Sequence, residues 1–246
     1  VSIRPPALIL AAGRGERMRP LTDAIPKPLL QVGGKRLIEW HLEALARAGW
    51  REVVINTAHL AAQFPAALGD GARYGLSIRY SFEGSQALET GGGMLHAQRL
   101  IDAPWFIAIN GDIHCDFDLQ RFAEPPEHLA TIVLVDNPQQ HAQGDFWLGS
   151  DGTVGDDAPP SSDAVRLTFA GIGSYRRELL DDWRSIIGAA PDATLDPPRF
   201  PLAPLLRAAM RQARIGGIHH RGHWTDVGTP ERLAQLDRRL NAAGPG

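Results

Sequence analysis

Ala7-Leu8-Ile9-Leu10-Ala11-Ala12-Gly13-Arg14-Gly15-Glu16-Arg17-Met18-Arg19-Pro20-Leu21-Thr22 runs from a short apolar segment straight into a glycine-rich turn, and Pro26-Lys27-Pro28 follows a few residues later. An apolar run closed by Gly-x-Gly reads as a buried strand feeding a loop, which is how a parallel α/β sheet begins. Glycines at 13 and 15 let backbone amides approach an anion closely, and such amides donate to phosphate oxygens. Two common nucleotide motifs fail on this stretch. The Walker pattern needs Gly-Lys-Ser/Thr after its second glycine. The dinucleotide fingerprint needs a third glycine where Arg17 or Met18 stands and an acid closing the second strand, where this chain has Asn56-Thr57.

Outward from this turn, strand and helix patterns alternate. Leu37, Ile38, His41, Leu42, Leu45 and Ala48 recur at helical spacing, and Gly49 closes the segment. Val53 to Ile55 reads as a buried strand, residues 60 to 69 as a helix, Leu76 to Phe82 as a strand, Gly91 to Leu100 as a helix and Trp105 to Ile109 as a strand before Asn110-Gly111-Asp112. Four β-then-α units in this order predict a doubly wound, mostly parallel, Rossmann-like α/β sheet with helices on both faces. After residue 125, Ala130 to Val135, Phe146 to Leu148 and Val165 to Tyr175 read as strands of a smaller β elaboration, with a polar loop at 156–163. Helices are expected at 202–212 and 230–241, the second opened by Thr229-Pro230-Glu231. Without a repeat or a linker, one domain over 1–246 is expected, with a first half to about residue 125 and a second half beyond it.

Composition bounds the function. The 246 residues are 43% hydrophobic and 22% charged, with 26 glycines and 19 prolines, a globular balance. A net charge of −3 and no run of like charges argue against a nucleic-acid partner. Cys115, alone, forms no intrachain disulfide, which points to a reducing, cytoplasmic setting. The longest apolar run, Ala7 to Ala12, is far below the roughly 18 residues of a membrane span. Of 25 basic residues only Lys27 and Lys35 are lysines, so a lysine beside the glycine turn marks a place where a compact ammonium is wanted.

Leu10 through Thr22 and Pro26-Lys27-Pro28 resemble the signature of the sugar-1-phosphate nucleotidylyltransferases, Leu-Ala-Ala-Gly-x-Gly-x-Arg-Met-x-Pro-Leu-Thr followed by Pro-Lys-Pro. The resemblance continues through Glu89-Thr90-Gly91-Gly92-Gly93, Asn110-Gly111-Asp112, Gly144-Asp145-Phe146, Thr168 to Gly173, Phe200 to Leu205 and Trp224 to Thr229. Together these look like one short subgroup, the N-acetylmuramate α-1-phosphate uridylyltransferases of cell-wall recycling.

The resemblance implies a reaction in which a sugar 1-phosphate oxygen attacks the α-phosphorus of UTP and pyrophosphate leaves. The nucleophile is already an anion near neutral pH, because its second pKa is about 6, so no general base is needed. Positioning, cations and a metal must carry catalysis. Carried onto this sequence, Arg17 serves the leaving phosphates, Lys27 the reacting ones, and Asp112 and Asp226 hold Mg²⁺, an ion that takes one or two carboxylates plus phosphate oxygens. The nucleotide is assigned to Leu10, Ala11, Ala12, Gly13, Gly15, Arg17, Lys27, Glu83, Glu89, Thr90, Gly91, Gly92 and Asp112. The sugar is assigned to Asn110, Gly144, Asp145, Phe169 and Gly171. The subgroup also implies a monomer without an appended β-helix domain.

Several readings stay open at this point. Glu89 is either a base contact or an ordinary helix N-terminal acid, and Asp112 and Asp226 each have an alternative as turn residues. Longer thymidylyltransferase relatives hold the sugar phosphate with the lysine of a Glu-Lys-Pro segment. This chain has no lysine beyond Lys35, so either Arg166 substitutes or the metal and Lys27 act alone. The base and sugar also leave a guanylyl- or thymidylyltransferase for another sugar 1-phosphate, such as mannose, heptose or glucose, as the alternative. A non-catalytic nucleotide-sensing member of the fold would be expected to lose some of Arg17, Lys27, Asp112 and Asp226. His219, His220 and His223 lack the partners of a zinc site and read as a polar surface.

Overall fold

The computed structural model describes residues 4–157 and 163–242, so most of the polar loop expected at 156–163 lies outside the described residues. Among the described residues thirteen strands and seven α-helices follow in order: β1 (Ala7–Leu10), α1 (Leu21–Ala24), β2 (Gln31–Val32), β3 (Lys35–Arg36), α2 (Leu37–Arg47), β4 (Glu52–Thr57), α3 (Gln63–Leu68), β5 (Ser77–Phe82), α4 (Glu89–Ala97), β6 (Trp105–Asn110) and β7 (Ile113–Cys115). The second half adds β8 (Ala130–Val135), β9 (Phe146–Leu148), β10 (Val154–Gly155), β11 (Val165–Arg176), α5 (Trp183–Ile187), α6 (Ala203–Met210), β12 (Ile215–His220), β13 (Trp224–Asp226) and α7 (Pro230–Ala242).

The main sheet runs β10-β9-β11-β6-β1-β4-β5, with β8 beside β11 and β12 beside β8. β6, β1, β4 and β5 are parallel, as expected, and β11 joins β6 antiparallel. Along β1, Leu8 packs into one core with Met94, Phe106 and Leu205, while Ala7 and Ile9 pack into the other with Ile38, Leu42 and Phe64. Alternate side chains thus enter opposite, equally apolar layers, which is why this strand reads as a continuous hydrophobic run.

Two expectations need correction. The fourth parallel strand is not followed by a helix, because the chain turns at Gly111 directly into β7, which pairs with β13. A side chain at 111 would crowd the Leu10 carbonyl at 2.9 Å, and Gly111 donates its amide to that same carbonyl. The helix expected from Gly91 begins two residues earlier, at Glu89.

Strand order reverses between β1 and β6, and ligands of open α/β sheets bind in the crevice outside the carboxyl ends at such a point. Leu10 is level with Asn56 on one side and Asn110 on the other, so the first glycine turn and the Asn110-Gly111-Asp112 turn diverge from one edge. A third apolar cluster, Met18, Leu30, Val32, Leu37, Val227 and Leu236, packs α7 against the N-terminal loop.

Candidate active site

Two clefts share that edge. One, of about 380 Å³, is lined by Leu10, Ala11, Ala12, Gly13, Gly15, Arg17, Lys27, Glu83, Glu89, Thr90, Asn110 and Asp112, and also by Asn56 and Gly228. The other, of about 320 Å³, is lined by Asn110, Asp112, Asp145, Phe169, Gly171 and Asp226, together with Gln140, His141 and Trp224. Asn110 and Asp112 belong to both.

The glycine turn is shaped by its neighbours. Gly15 has φ +67°, and a Cβ there would sit 3.0 Å from Thr22 Cγ2 and 3.2 Å from Lys27 Cβ. Thr22 Oγ1 donates to the Gly15 carbonyl at 2.9 Å, closing the loop over Lys27. Lys27 Nζ lies 2.6 Å from Asp112 Oδ2, its side chain only 8% exposed against 42% for the aspartate. The ammonium is thus delivered from a buried stem, while Asp112 opens to both clefts. Arg17 is exposed on the rim and pairs with no carboxylate among the described residues.

Behind the first cleft lies a buried polar relay that sequence reading missed. Asn56 Oδ1 accepts from the Ala11 amide at 2.5 Å, Asn56 Nδ2 donates to Glu83 Oε1 at 2.6 Å, and the Leu88 amide donates to Glu83 Oε2 at 2.8 Å. Burial pushes the Glu83 carboxyl up from its ordinary value, and its hydrogen bonds to Leu88 and Asn56 pull it back. Glu83 lines the cleft, yet both its oxygens are engaged internally. It ties the first turn to the loop that opens α4, and the Ala11 amide is held by Asn56. In the sequence, Asn56 signals only the failure of a dinucleotide motif.

Gly91 and Gly92 do not line the cleft. A Cβ at Gly91 would meet the Phe200 ring at 2.6 Å and one at Gly92 the Pro198 carbonyl at 2.5 Å, and the Gly92 amide donates to the Phe200 carbonyl at 3.0 Å. These glycines admit the segment 198–201, and the Gly92 amide is spent on Phe200. Glu89 holds a left-handed φ of +62°, uncommon outside glycine, with its carboxylate 3.3 Å from Arg199. Such an outlier at a cleft points to function at the site.

In the second cleft, Asp145 Oδ2 accepts the Phe169 amide at 2.8 Å and Oδ1 meets His141 Nε2 at 2.9 Å. Gly171, at φ +77°, occupies the point where β11 shifts register against β8, and a Cβ there would strike the Asn110 side chain at 2.6 Å. Gly144 is a turn glycine outside the lining, packed on Asn137. Arg166 is likewise outside it, exposed on β11 opposite Trp147.

Asp226 stands beside Ile113 in the β7–β13 ribbon, and the Val227 amide donates to the Asp112 carbonyl at 2.8 Å. The ribbon therefore holds Asp112, in the turn before β7, close to Asp226 at the end of β13. Asp226 Oδ1 accepts from Gln140 Nε2 at 2.9 Å, and Oδ2 lies 3.0 Å from an Arg232 Nη. Two carboxylates without imidazole or thiolate between them are a hard-oxygen donor set, which fits a hard divalent cation. The three histidines diverge instead: His219 meets Asp136, His220 meets Asp116 and His223 meets Arg239. Cys115, near Asp116 and His220, is a thiol pushed up to about 12 by burial.

Residues 6–154 match the family model described as Nucleotidyl transferase. A Neisseria meningitidis protein named N-acetylmuramate alpha-1-phosphate uridylyltransferase is 47% identical over 241 residues, covering 96% of this chain and 98% of its own. A Caulobacter vibrioides protein of the same name is 32% identical, covering 96% and 97%. Among solved structures, one from Bacillus anthracis in complex with sucrose has a TM-score of 0.78 at 20% identity, covering 98% and 97%. The Yersinia pseudotuberculosis protein HddC, complexed with GMP-PN, has a TM-score of 0.73 at 20% identity, covering 96% and 99%. These two share the fold.

Proposed function

The chain belongs to the nucleotidyl transferase family, and from that premise we propose that it transfers a uridylyl group from UTP to N-acetylmuramic acid 1-phosphate, giving UDP-N-acetylmuramic acid and pyrophosphate. The observation that carries the chemistry is the junction of the two clefts at Asn110 and Asp112, with the Lys27 ammonium on Asp112. The full-length similarity to the two uridylyltransferases supports UTP and the muramic sugar.

The nucleotide occupies the first cleft and the sugar the second. A sugar phosphate oxygen forms a bond to the α-phosphorus as the bond to the β-phosphate bridging oxygen breaks, with no proton to be removed. Two polyanions must be brought together, so the work falls to cations and alignment. Lys27, held with its stem buried, reaches the reacting phosphates, and Arg17, unpaired on the rim, receives the departing β- and γ-phosphates. Asp112 and Asp226 would hold Mg²⁺, which when bound neutralises phosphate charge and polarises the phosphorus. In the second cleft, His141 lines the wall where the sugar is placed, with its Nε2 on Asp145 Oδ1. No helix among the described residues is long and apolar enough to cross a membrane, and we place the enzyme in the cytoplasm, acting as a monomer.

Chromatography of products from a grid of four nucleoside triphosphates against N-acetylmuramic acid, N-acetylglucosamine, glucose and mannose 1-phosphates tests the reading. A single strong product, from UTP and the muramic substrate, is expected. Preferential turnover of GTP with mannose 1-phosphate would overturn the substrate assignment while keeping the chemistry.

A further inference from the structure

The two carboxylates at the junction are each paired with a cation, but not in equivalent ways. Lys27 lines the nucleotide cleft, so its contact with Asp112 is made by a group that phosphates can reach. Arg232 lines neither cleft, and its side chain is 16% exposed. It lies in the first turn of α7, a helix fixed by Leu236 in the third core cluster and by the Gly33 amide donating to Asp237 at 2.8 Å. Its guanidinium fills the space over Gly228, where any Cβ would overlap an Arg232 Nη and approach Asp226 Oδ2 at 2.9 Å. The absence of a side chain at 228 is what lets the guanidinium reach the carboxylate.

Asp226 is thus gripped from two sides by unequal partners. On Oδ1 sits the Gln140 amide, neutral, hydrogen-bonded and part of the sugar-cleft lining; on Oδ2 sits Arg232, charged and largely enclosed, 3.0 Å away without a hydrogen bond, so that it holds Oδ2 by charge alone. A ligand entering the junction displaces the neutral, accessible group far more easily than the buried ion pair. We propose that Arg232 is a positioning residue for Asp226. It retains Oδ2 throughout and so presents Oδ1, in place of the Gln140 contact, to the divalent cation that arrives with the triphosphate. This inference rests on the reading of Asp226 as a metal ligand.

The test uses the intact protein with Mn²⁺ and UTP, without sugar. Calorimetry gives the Kd of the Mn²⁺–UTP complex, and electron paramagnetic resonance reports the bound ion. Arg232→Met is expected to weaken Mn²⁺–UTP binding and lower kcat by about tenfold or more, the usual cost of losing a group that orients a metal ligand. Arg232→Lys should recover part of that loss, because it keeps the charge but not the planar fork, and Gln140→Ala should leave Mn²⁺–UTP binding unweakened. The inference is overturned if Arg232→Met binds within about twofold of wild type, or if Gln140→Ala and Arg232→Met weaken binding equally. Asp226→Asn separates the two levels. Unchanged Mn²⁺ binding in that variant would remove the metal reading itself, whereas loss there with none in Arg232→Met would remove only the role of Arg232. Should Arg232→Met fail to fold, Arg232→Lys carries the same comparison, and binding indistinguishable from wild type there would count against the proposal.

Discussion

Lys27 Nζ and Asp112 Oδ2, 85 residues apart in sequence, meet at 2.6 Å where the two clefts at the sheet edge join. The lysine is almost enclosed and the aspartate is nearly half exposed, so the two members respond differently to loss of the other. Asp112→Ala strands a buried ammonium and is expected to cost about 1–3 kcal/mol of stability as well as activity. Lys27→Met leaves a carboxylate that water can solvate, so it should cost little stability while lowering kcat by about 10²–10³. Thermal denaturation beside steady-state kinetics reads both.

Gly15 predicts a loop effect. Its left-handed φ and the contacts waiting for a Cβ at Thr22 and Lys27 make Gly15→Ala strained and crowded. A loss of about 1–2 kcal/mol is expected, from the left-handed conformation alone. The displaced loop should also raise the KM for UTP more than that for the sugar phosphate.

The relay through Asn56 and Glu83 predicts that Glu83→Gln is not conservative. Both carboxylate oxygens accept hydrogen bonds, from Asn56 Nδ2 and the Leu88 amide, so an amide at 83 turns one N–H toward another. The expected loss is about 1–3 kcal/mol, the cost of an unsatisfied buried donor. Chemical denaturation measures it, and a Kd for UTP raised in parallel would show that the relay also sets the base side of the cleft.

His41 predicts the pH response. Burial holds its imidazole down to about 4, against a hydrogen bond to the Ile113 backbone and the Asp112 carboxylate, which act in the other direction. Above pH 6.5 the ring is neutral in the folded and unfolded chains alike. As the pH falls below that, the unfolded chain takes up a proton that the folded chain refuses, so stability declines toward pH 4 by roughly 3 kcal/mol from this group. Urea titrations at pH 7.5 and pH 5 should show the decline, and His41→Phe should reduce it. His114, also held down to about 4 by burial, leaves a remainder.

The layers of the fold were legible because buried parallel strands and amphipathic helices write themselves as apolar runs and helical spacing. The turn after β1 was legible because glycine, lysine and arginine are needed there for themselves. Less visible were residues whose importance depends on a distant partner. Asn56 matters through Ala11 and Glu83, Gln140 and Arg232 matter through Asp226, and nothing local in their segments signals the pairing. Gly91 and Gly92 look, in sequence, like glycines that admit a ligand, and in the fold they admit Phe200 and the Pro198 carbonyl. The missing helix after β6 escaped because β7 and β13 pair across more than 100 residues.

The most direct measurement is pyrophosphate release from UTP and N-acetylmuramic acid 1-phosphate by the wild-type protein and by Asp112→Asn, with UTP binding followed by calorimetry in both. The account predicts release matched one to one by UDP-N-acetylmuramic acid in the wild type, and a fall of about 10²–10³ in the variant, which still binds UTP. Turnover by Asp112→Asn at nearly the wild-type rate, or a wild-type protein that binds UTP and releases no pyrophosphate, would contradict it.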